Sequence, residues 1–141
     1  MDPMKDRSLA FVPAALALAL VAVPALAIDV TFVDLSPDRP SYEGACPVTV
    51  TFRGTVEVDG PGTVGVQWVR SDGVTSATTM LMFPAAENKS ITNTWTLGDY
   101  VPAFRPFNGW QKLRVTSDST MKEGYAEFSV TCRKKVLKPG R

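Results

Sequence analysis

Apolar and polar residues alternate along most of the chain after residue 28, and one long run organises the rest. Val48, Val50, Phe52, Val56 and Val58 fall on alternate positions, separated by Thr, Arg and Glu. After Gly60-Pro61-Gly62 the same period resumes with Val64, Val66 and Trp68, and Ser71-Asp72-Gly73 ends it. A period of two sends one row of side chains to a core and the other to water. Cys46 to Gly73 therefore predicts a β-hairpin with one buried face, Trp68 being its central core aromatic. Gly54, inside the pattern, predicts a bend or bulge where another backbone comes close.

Further strands are expected on either side. In Ile28–Leu35, Val30 and Phe32 share one face while Val33 and Leu35 share the other, so a bulge or a change of sheet is expected between the pairs. Ser36-Pro37-Asp38-Arg39-Pro40 ends that strand, and Tyr42, Glu43 and Gly44 read as a lead-in to Cys46-Pro47. Thr78–Phe83 is a weaker strand whose Met80 and Met82, in phase, are expected to fill the core softly. Ser90–Leu97 alternates through Ile91, Asn93, Trp95 and Leu97, which turns Asn93 inward or places it at a sheet rim. Gly109–Ser117 carries Leu113 and Val115 inward with Lys112 and Arg114 in water, and Ala126, Phe128, Val130 and Cys132 mark the last strand. No helical period spans eleven residues. The pattern predicts an all-β, immunoglobulin-like antiparallel β-sandwich of about seven strands.

The first 27 residues depart from this pattern. Lys5 and Arg7 precede an apolar run from Leu9 to Val23, and Ala25-Leu26-Ala27 has the small-x-small spacing of a signal-peptidase site. The run is shorter than the roughly 20 residues of a spanning helix and is punctuated by Pro13 and Pro24. The expected organisation is a signal peptide over 1–27, a sandwich over 28–132 and a basic tail over 133–141, in a secreted or periplasmic protein with no integral membrane segment after cleavage. An oxidising compartment gives the two cysteines a direct meaning: Cys46 and Cys132, 86 positions apart, form a disulfide.

Charge adds one contrast. The chain is formally +1, but Arg133, Lys134, Lys135, Lys138 and Arg141 crowd the tail and leave the body mildly acidic. Such a tail suits an anionic polymer or lipid surface, or is simply solvated.

The chemistry excludes more than it offers. With no His in 141 residues there is no Ser-His-Asp or Cys-His arrangement and no imidazole metal site. The carboxylates are scattered, and a small sandwich has little room for a catalytic cleft. No catalytic residue, cofactor or metal site is expected. Asp34 with Asp38, or Asp72 with a neighbouring loop, are the sole calcium candidates, and they lack a converging series of oxygens. The strand-face Arg and Lys residues form no nucleic-acid stripe. Aromatics are the better lead: Tyr100, Phe104, Phe107 and Trp110, with Arg105, lie in or beside the longest irregular stretch. They form either a partner patch or a cover over the open end of the core. Trp110, out of phase with Leu113 and Val115, is placed on the outer face.

Taken together, Tyr42-x-Gly44-x-Cys46-Pro47, Phe52-x-Gly54, Gly60-Pro61-Gly62-x-Val64, Trp68-x-x-Ser71-Asp72-Gly73, Gly109-Trp110 and Phe128-x-Val130-x-Cys132 resemble a group of small immunoglobulin-like domains in secreted bacterial proteins. The resemblance covers nearly all of Ile28–Cys132. It implies the sandwich fold and export, and brings no functional residue with it. The reading that follows is a non-catalytic exported domain that binds protein or a cell-surface polymer. The alternative is a carbohydrate-binding module using segment 100–110.

Overall fold

The structure is a computed structural model that describes residue 19 and residues 28–98, 105–118 and 121–133. Eight strands form two sheets: β1 (Val30–Pro37), β2 (Ser41–Gly44), β3 (Val48–Val58), β4 (Gly62–Arg70), β5 (Thr79–Phe83), β6 (Asn88–Leu97), β7 (Pro106–Val115) and β8 (Glu123–Cys132). The three-stranded sheet has the order β1-β3-β6 and the five-stranded sheet β2-β8-β7-β4-β5. This is an immunoglobulin-like β-sandwich with one strand more than expected.

The additional strand is β2. Residues 41–44 run parallel to β8, with Tyr42 opposite Val130 and Gly44 opposite Cys132. No change of sheet occurs within Ile28–Leu35, where one was an expected alternative; the chain leaves the three-stranded sheet only after Pro37. Pro37 to Pro40 turns the chain out of the three-stranded sheet, and the Pro40 carbonyl accepts a hydrogen bond from the Ser129 amide. Within β1 the register shifts between Val30 and Phe32, so Val30 and Leu35 are both buried while Phe32 is exposed. A bulge of this kind lets one strand change which side chains face the core.

Strand pairing and core filling depart from expectation. Cys46–Gly73 is not a hairpin: β3 pairs with β1 and β6, whereas β4 pairs with β5 and β7. Asp59 to Pro61 carries the chain from one sheet to the other, and the buried faces of β3 and β4 meet across the core. Met80 and Met82 are not core filling; they are exposed, and Leu81 and Phe83, the opposite phase of the same strand, are buried. Asn93 is half-buried beside Val74, Thr75 and Ser76, at the rim of the sandwich.

Alternation holds without interruption over the eleven residues of β3. Gly54 makes no bulge. A Cβ there would lie 2.4 Å from Leu113 Cδ2 and 3.4 Å from Trp68 Cη2, so the glycine leaves room for two side chains of the opposite sheet. Trp68 is buried between the sheets, as its phase predicts. Gly124 serves a closer approach: a Cβ there would stand 2.9 Å from the Asp34 carbonyl carbon, where β1 crosses β8.

At one end Phe52, Trp95, Phe107 and Phe128 pack edge-to-face or tilted, with centroids 5.1–6.0 Å apart. Such pairs add about 0.5–1.5 kcal/mol each beyond their buried area. The Arg70 guanidinium caps this cluster, 4.1 Å from the Trp95 ring centroid. Cys46 and Cys132 are bonded, their Cα atoms 5.5 Å apart. The bond ties the entry of β3 to the end of β8, and for a loop of this length chain entropy alone gives about 4 to 5 kcal/mol.

Candidate interaction surface

The outer face of the five-stranded sheet holds a set of exposed and half-buried side chains that contact one another. On β7 the outward phase is Asn108, Trp110, Lys112 and Arg114, and on β8 it is Glu123, Tyr125, Glu127 and Ser129. Antiparallel register sets Trp110 opposite Glu127, Lys112 opposite Tyr125 and Arg114 opposite Glu123. Side chains directly opposite on one face lie within contact range, and here they interlock. Lys112 Nζ is 2.6 Å from Glu123 Oε1 and sits 5.4 Å from the Trp110 ring centroid and 5.8 Å from that of Tyr125. The two rings are 6.0 Å apart and tilted by 36°. The Tyr125 hydroxyl donates to Glu127 Oε1 at 2.8 Å. That bond to a carboxylate holds the phenol proton above its ordinary range, with burial and the Glu127 charge adding in the same direction.

The backbone of Trp110 is fixed by two bonds to Ser71. Its amide donates to Ser71 Oγ at 3.2 Å and its carbonyl accepts from the Ser71 amide at 3.0 Å. Beside it a hollow of about 390 Å³ is lined by Pro40, Asn108, Trp110, Glu127 and Ser129 over the floor of Gly109 and Phe128. A ring held on a braced strand next to an amide, an ammonium and a carboxylate can bury apolar area while satisfying polar groups. Those are the features of an interface anchor.

The residues singled out from sequence are distributed as follows. Trp110 is on the outer face, half-buried under its neighbours, and Arg105 is exposed. Phe107 is half-buried and packs inward, 5.7 Å from Trp95 and 6.0 Å from Phe128. Tyr100 and Phe104 lie outside the described residues, as does the basic tail beyond Arg133. Tyr125 and Glu127 were not anticipated. Their phase, opposite to Ala126 and Phe128, places them outward; that they join Trp110 is information held only in the β7–β8 register.

The candidate calcium carboxylates have other work. Asp38 Oδ1 accepts from the Thr51 amide, while the Asp38 amide donates to the Thr51 carbonyl. Asp72 binds Arg70 through both carboxylate oxygens and accepts from the Val74 amide. Burial pushes the Asp72 carboxyl upward, but the Arg70 hydrogen bond and charge and the Val74 amide outweigh it and hold it below 3.8. Among the described residues no three His, Cys, Asp or Glu side chains converge on a metal position. No helix among those residues is long and apolar enough to cross a membrane.

One core polar group stands out. Gln111 is fully buried on the inward phase of β7, and neither its Nε2 nor its Oε1 has a hydrogen-bond partner among the described residues.

The chain matches no protein-family model, and no curated protein matches it. Solved structures do match. One is the crystal structure of a CARDB domain of a Pyrococcus furiosus protein in complex with di-metal ions. It superposes with a TM-score of 0.57 at 16% identity, covering 75% of this chain and 96% of that one. The likeness establishes a shared immunoglobulin-like sandwich.

Proposed function

We propose that this is an exported, non-catalytic accessory domain that binds a protein partner through the outer face of its five-stranded sheet. Trp110 and Tyr125 are the anchors. In this reading residues 1–27 are the export leader, 28–132 the sandwich and 133–141 a basic tail that adds salt-dependent attachment to anionic surfaces. The chain then takes its place among the small immunoglobulin-like domains of exported bacterial proteins. The observation that carries the reading is the Trp110–Lys112–Tyr125–Glu127 cluster, with the Trp110 backbone held by its two hydrogen bonds to Ser71. Arg105 extends this surface, and Phe107 supports it from the core side. Tyr100 and Phe104 belong to the same proposal by sequence position.

Carbohydrate is the second reading, favoured by the Asn108 amide and Glu127 carboxylate beside the Trp110 ring in one hollow. The tilt between Trp110 and Tyr125 argues against a flat two-ring platform. Bound metal belongs to the archaeal structure and is not carried over, given the carboxylate geometry described above.

The test uses the folded, disulfide-bonded protein against two arrays, one of extracellular proteins and one of glycans and cell-wall polymers. A protein ligand weakened at least tenfold by Trp110→Ala, about 1.4 kcal/mol, with an unchanged unfolding midpoint, supports the proposal. Binding confined to glycans transfers the surface to the second reading. A ligand indifferent to both Trp110→Ala and Tyr125→Ala moves the site elsewhere. Intact-mass analysis of exported protein beginning at Ile28 checks the leader, and a full-length chain in a membrane fraction refutes it.

A further inference from the structure

The opposite sheet ends in a strand with an open side. β6 closes the order β1-β3-β6 and, among the described residues, pairs only with β3, from Val48 opposite Leu97 to Glu57 opposite Asn88. The direction of its backbone groups follows from three contacts. The Val58 amide donates to the Glu87 carbonyl, so this phase of β3 faces β6. The alternate phase faces β1: Thr51 exchanges bonds with Asp38, and the Glu57 carbonyl accepts from Thr31 Oγ1. By the antiparallel pattern, Asn88, Ser90, Thr92, Thr94 and Thr96 therefore point their amides and carbonyls away from β3, along the free edge. All five side chains are exposed.

Free edges are usually blunted by shortness, proline, bulges or charge. Three of the four edges here are. β5 has five residues and stops at Pro84, β2 has four, and β1 contains Pro37 and a register shift. β6 has ten residues with no proline and no bulge, and its one ionised side chain, Lys89, lies on the other phase, 5.5 Å from the Phe83 ring centroid.

We propose that β6 pairs antiparallel with β6 of a second copy of this chain, across a two-fold axis at Thr92, joining the three-stranded sheets of two molecules into one. The row is self-complementary. With Thr92 opposite the partner's Thr92, Ser90 meets the partner's Thr94 and Asn88 meets the partner's Thr96. Every outward amide and carbonyl of those five residues then has a partner, and no charges of like sign are opposed. Cross-strand Thr and Ser pairs are favourable on such a face, and the sheet already contains one, the Thr49 and Thr96 hydroxyls 2.8 Å apart. The same register brings the partner's Ile91 opposite Asn93. There a groove of about 160 Å³ between Asn93–Thr94 and Val74–Ser76 receives it, covering Val74, which is 51% exposed.

The surface lies on the sheet opposite Trp110, so this inference stands or falls apart from the proposed ligand face. Sedimentation equilibrium of the folded, disulfide-bonded protein over a concentration series should show a reversible monomer–dimer system. Thr92→Pro removes an outward-facing amide and leaves the β3 ladder whole; it should raise the dimer dissociation constant at least tenfold. Thr92→Lys places two like charges at the axis and should do the same, with partial recovery at high salt. Trp110→Ala should leave the dimer unchanged. Thr92→Cys should be joined into a symmetric covalent dimer by a short bifunctional maleimide, since a hydrogen-bonded antiparallel pair holds its Cα atoms about 5.5 Å apart. A protein monomeric at every concentration overturns the proposal. So does a dimer indifferent to Thr92→Lys, or one that fails to cross-link through Cys at 92.

Discussion

Gln111 supplies the sharpest test of how this core is held together. Its side chain is fully buried on β7, opposite Arg70 of β4 and Ala126 of β8, and both amide atoms lack a partner among the described residues. Taking a primary amide out of water without a replacement bond costs about 1–3 kcal/mol by the measure of protein mutants. Met is close to Gln in length and volume, and its flexible thioether adapts to the same space. Gln111→Met should therefore stabilise the domain by about 1–2 kcal/mol. At about 4–8 °C per kcal/mol for a domain near 100 residues, the melting temperature should rise by roughly 5–15 °C. Urea unfolding followed by tryptophan emission gives the free energy directly, with an unchanged slope showing that the native and unfolded surfaces are comparable. Gln111→Ala separates the two contributions, since it removes the amide but opens a cavity, and it should fall below Gln111→Met. A drop of 1 kcal/mol or more in Gln111→Met would refute the reasoning and show that the amide is hydrogen-bonded in solution.

Two other perturbations test the packing and the charge pattern. Gly54→Ala places a methyl 2.4 Å from Leu113 Cδ2. It should cost about 1–3 kcal/mol alone and much less in a Leu113→Ala background; strict additivity in urea midpoints of the four proteins would contradict the contact. Asp72 titrates below 3.8 in the folded chain, so its contribution is present above that pH and is lost as pH falls through the folded value. The carboxylate is 36% exposed, so solvent screening limits the effect to under about 1 kcal/mol. The stability gap between wild type and Asp72→Asn should be full near neutrality and shrink as pH falls through the folded value, and a gap independent of pH would refute the ion-pair account.

What the sequence made legible was the facing of side chains, and what it hid was their neighbours. The alternation of β3, β4 and β8 and the core placement of Trp68 follow from a period of two. That period does not say which strand lies alongside. Gly60-Pro61-Gly62 suits a hairpin turn and an inter-sheet crossing equally, and β3 and β4 have buried faces in either arrangement. The methionines of β5 show the same limit, because both phases of Thr79–Phe83 are apolar and the bulkier Leu81 and Phe83 took the core. The four residues of β2 gain their pairing from β8 and carry no alternation of their own. Gln111 was within reach: Gly109, Leu113 and Val115 set its phase, and a polar residue in an inward phase is a signal in itself. At the surface, the outward placement of Trp110 follows from phase, while its contact with Tyr125 depends on a register between strands.

The two surfaces also constrain each other. Identical strands paired antiparallel within one sheet are related by a two-fold axis perpendicular to that sheet. The five-stranded sheets of the two copies would then lie on the same side of the joined sheet, and both Trp110 faces would point in one direction. On this face a single domain presents a modest hollow beside a tilted aromatic pair, a surface suited to weak binding. Two such faces directed alike convert the second contact into an intramolecular event whenever the target repeats, as it does on a cell surface or a polymer. The flat threonine face of the three-stranded sheet, with Thr49, Thr94 and Thr96 exposed, would remain on the far side. The edge pairing would in this way supply avidity to a ligand face that it never touches.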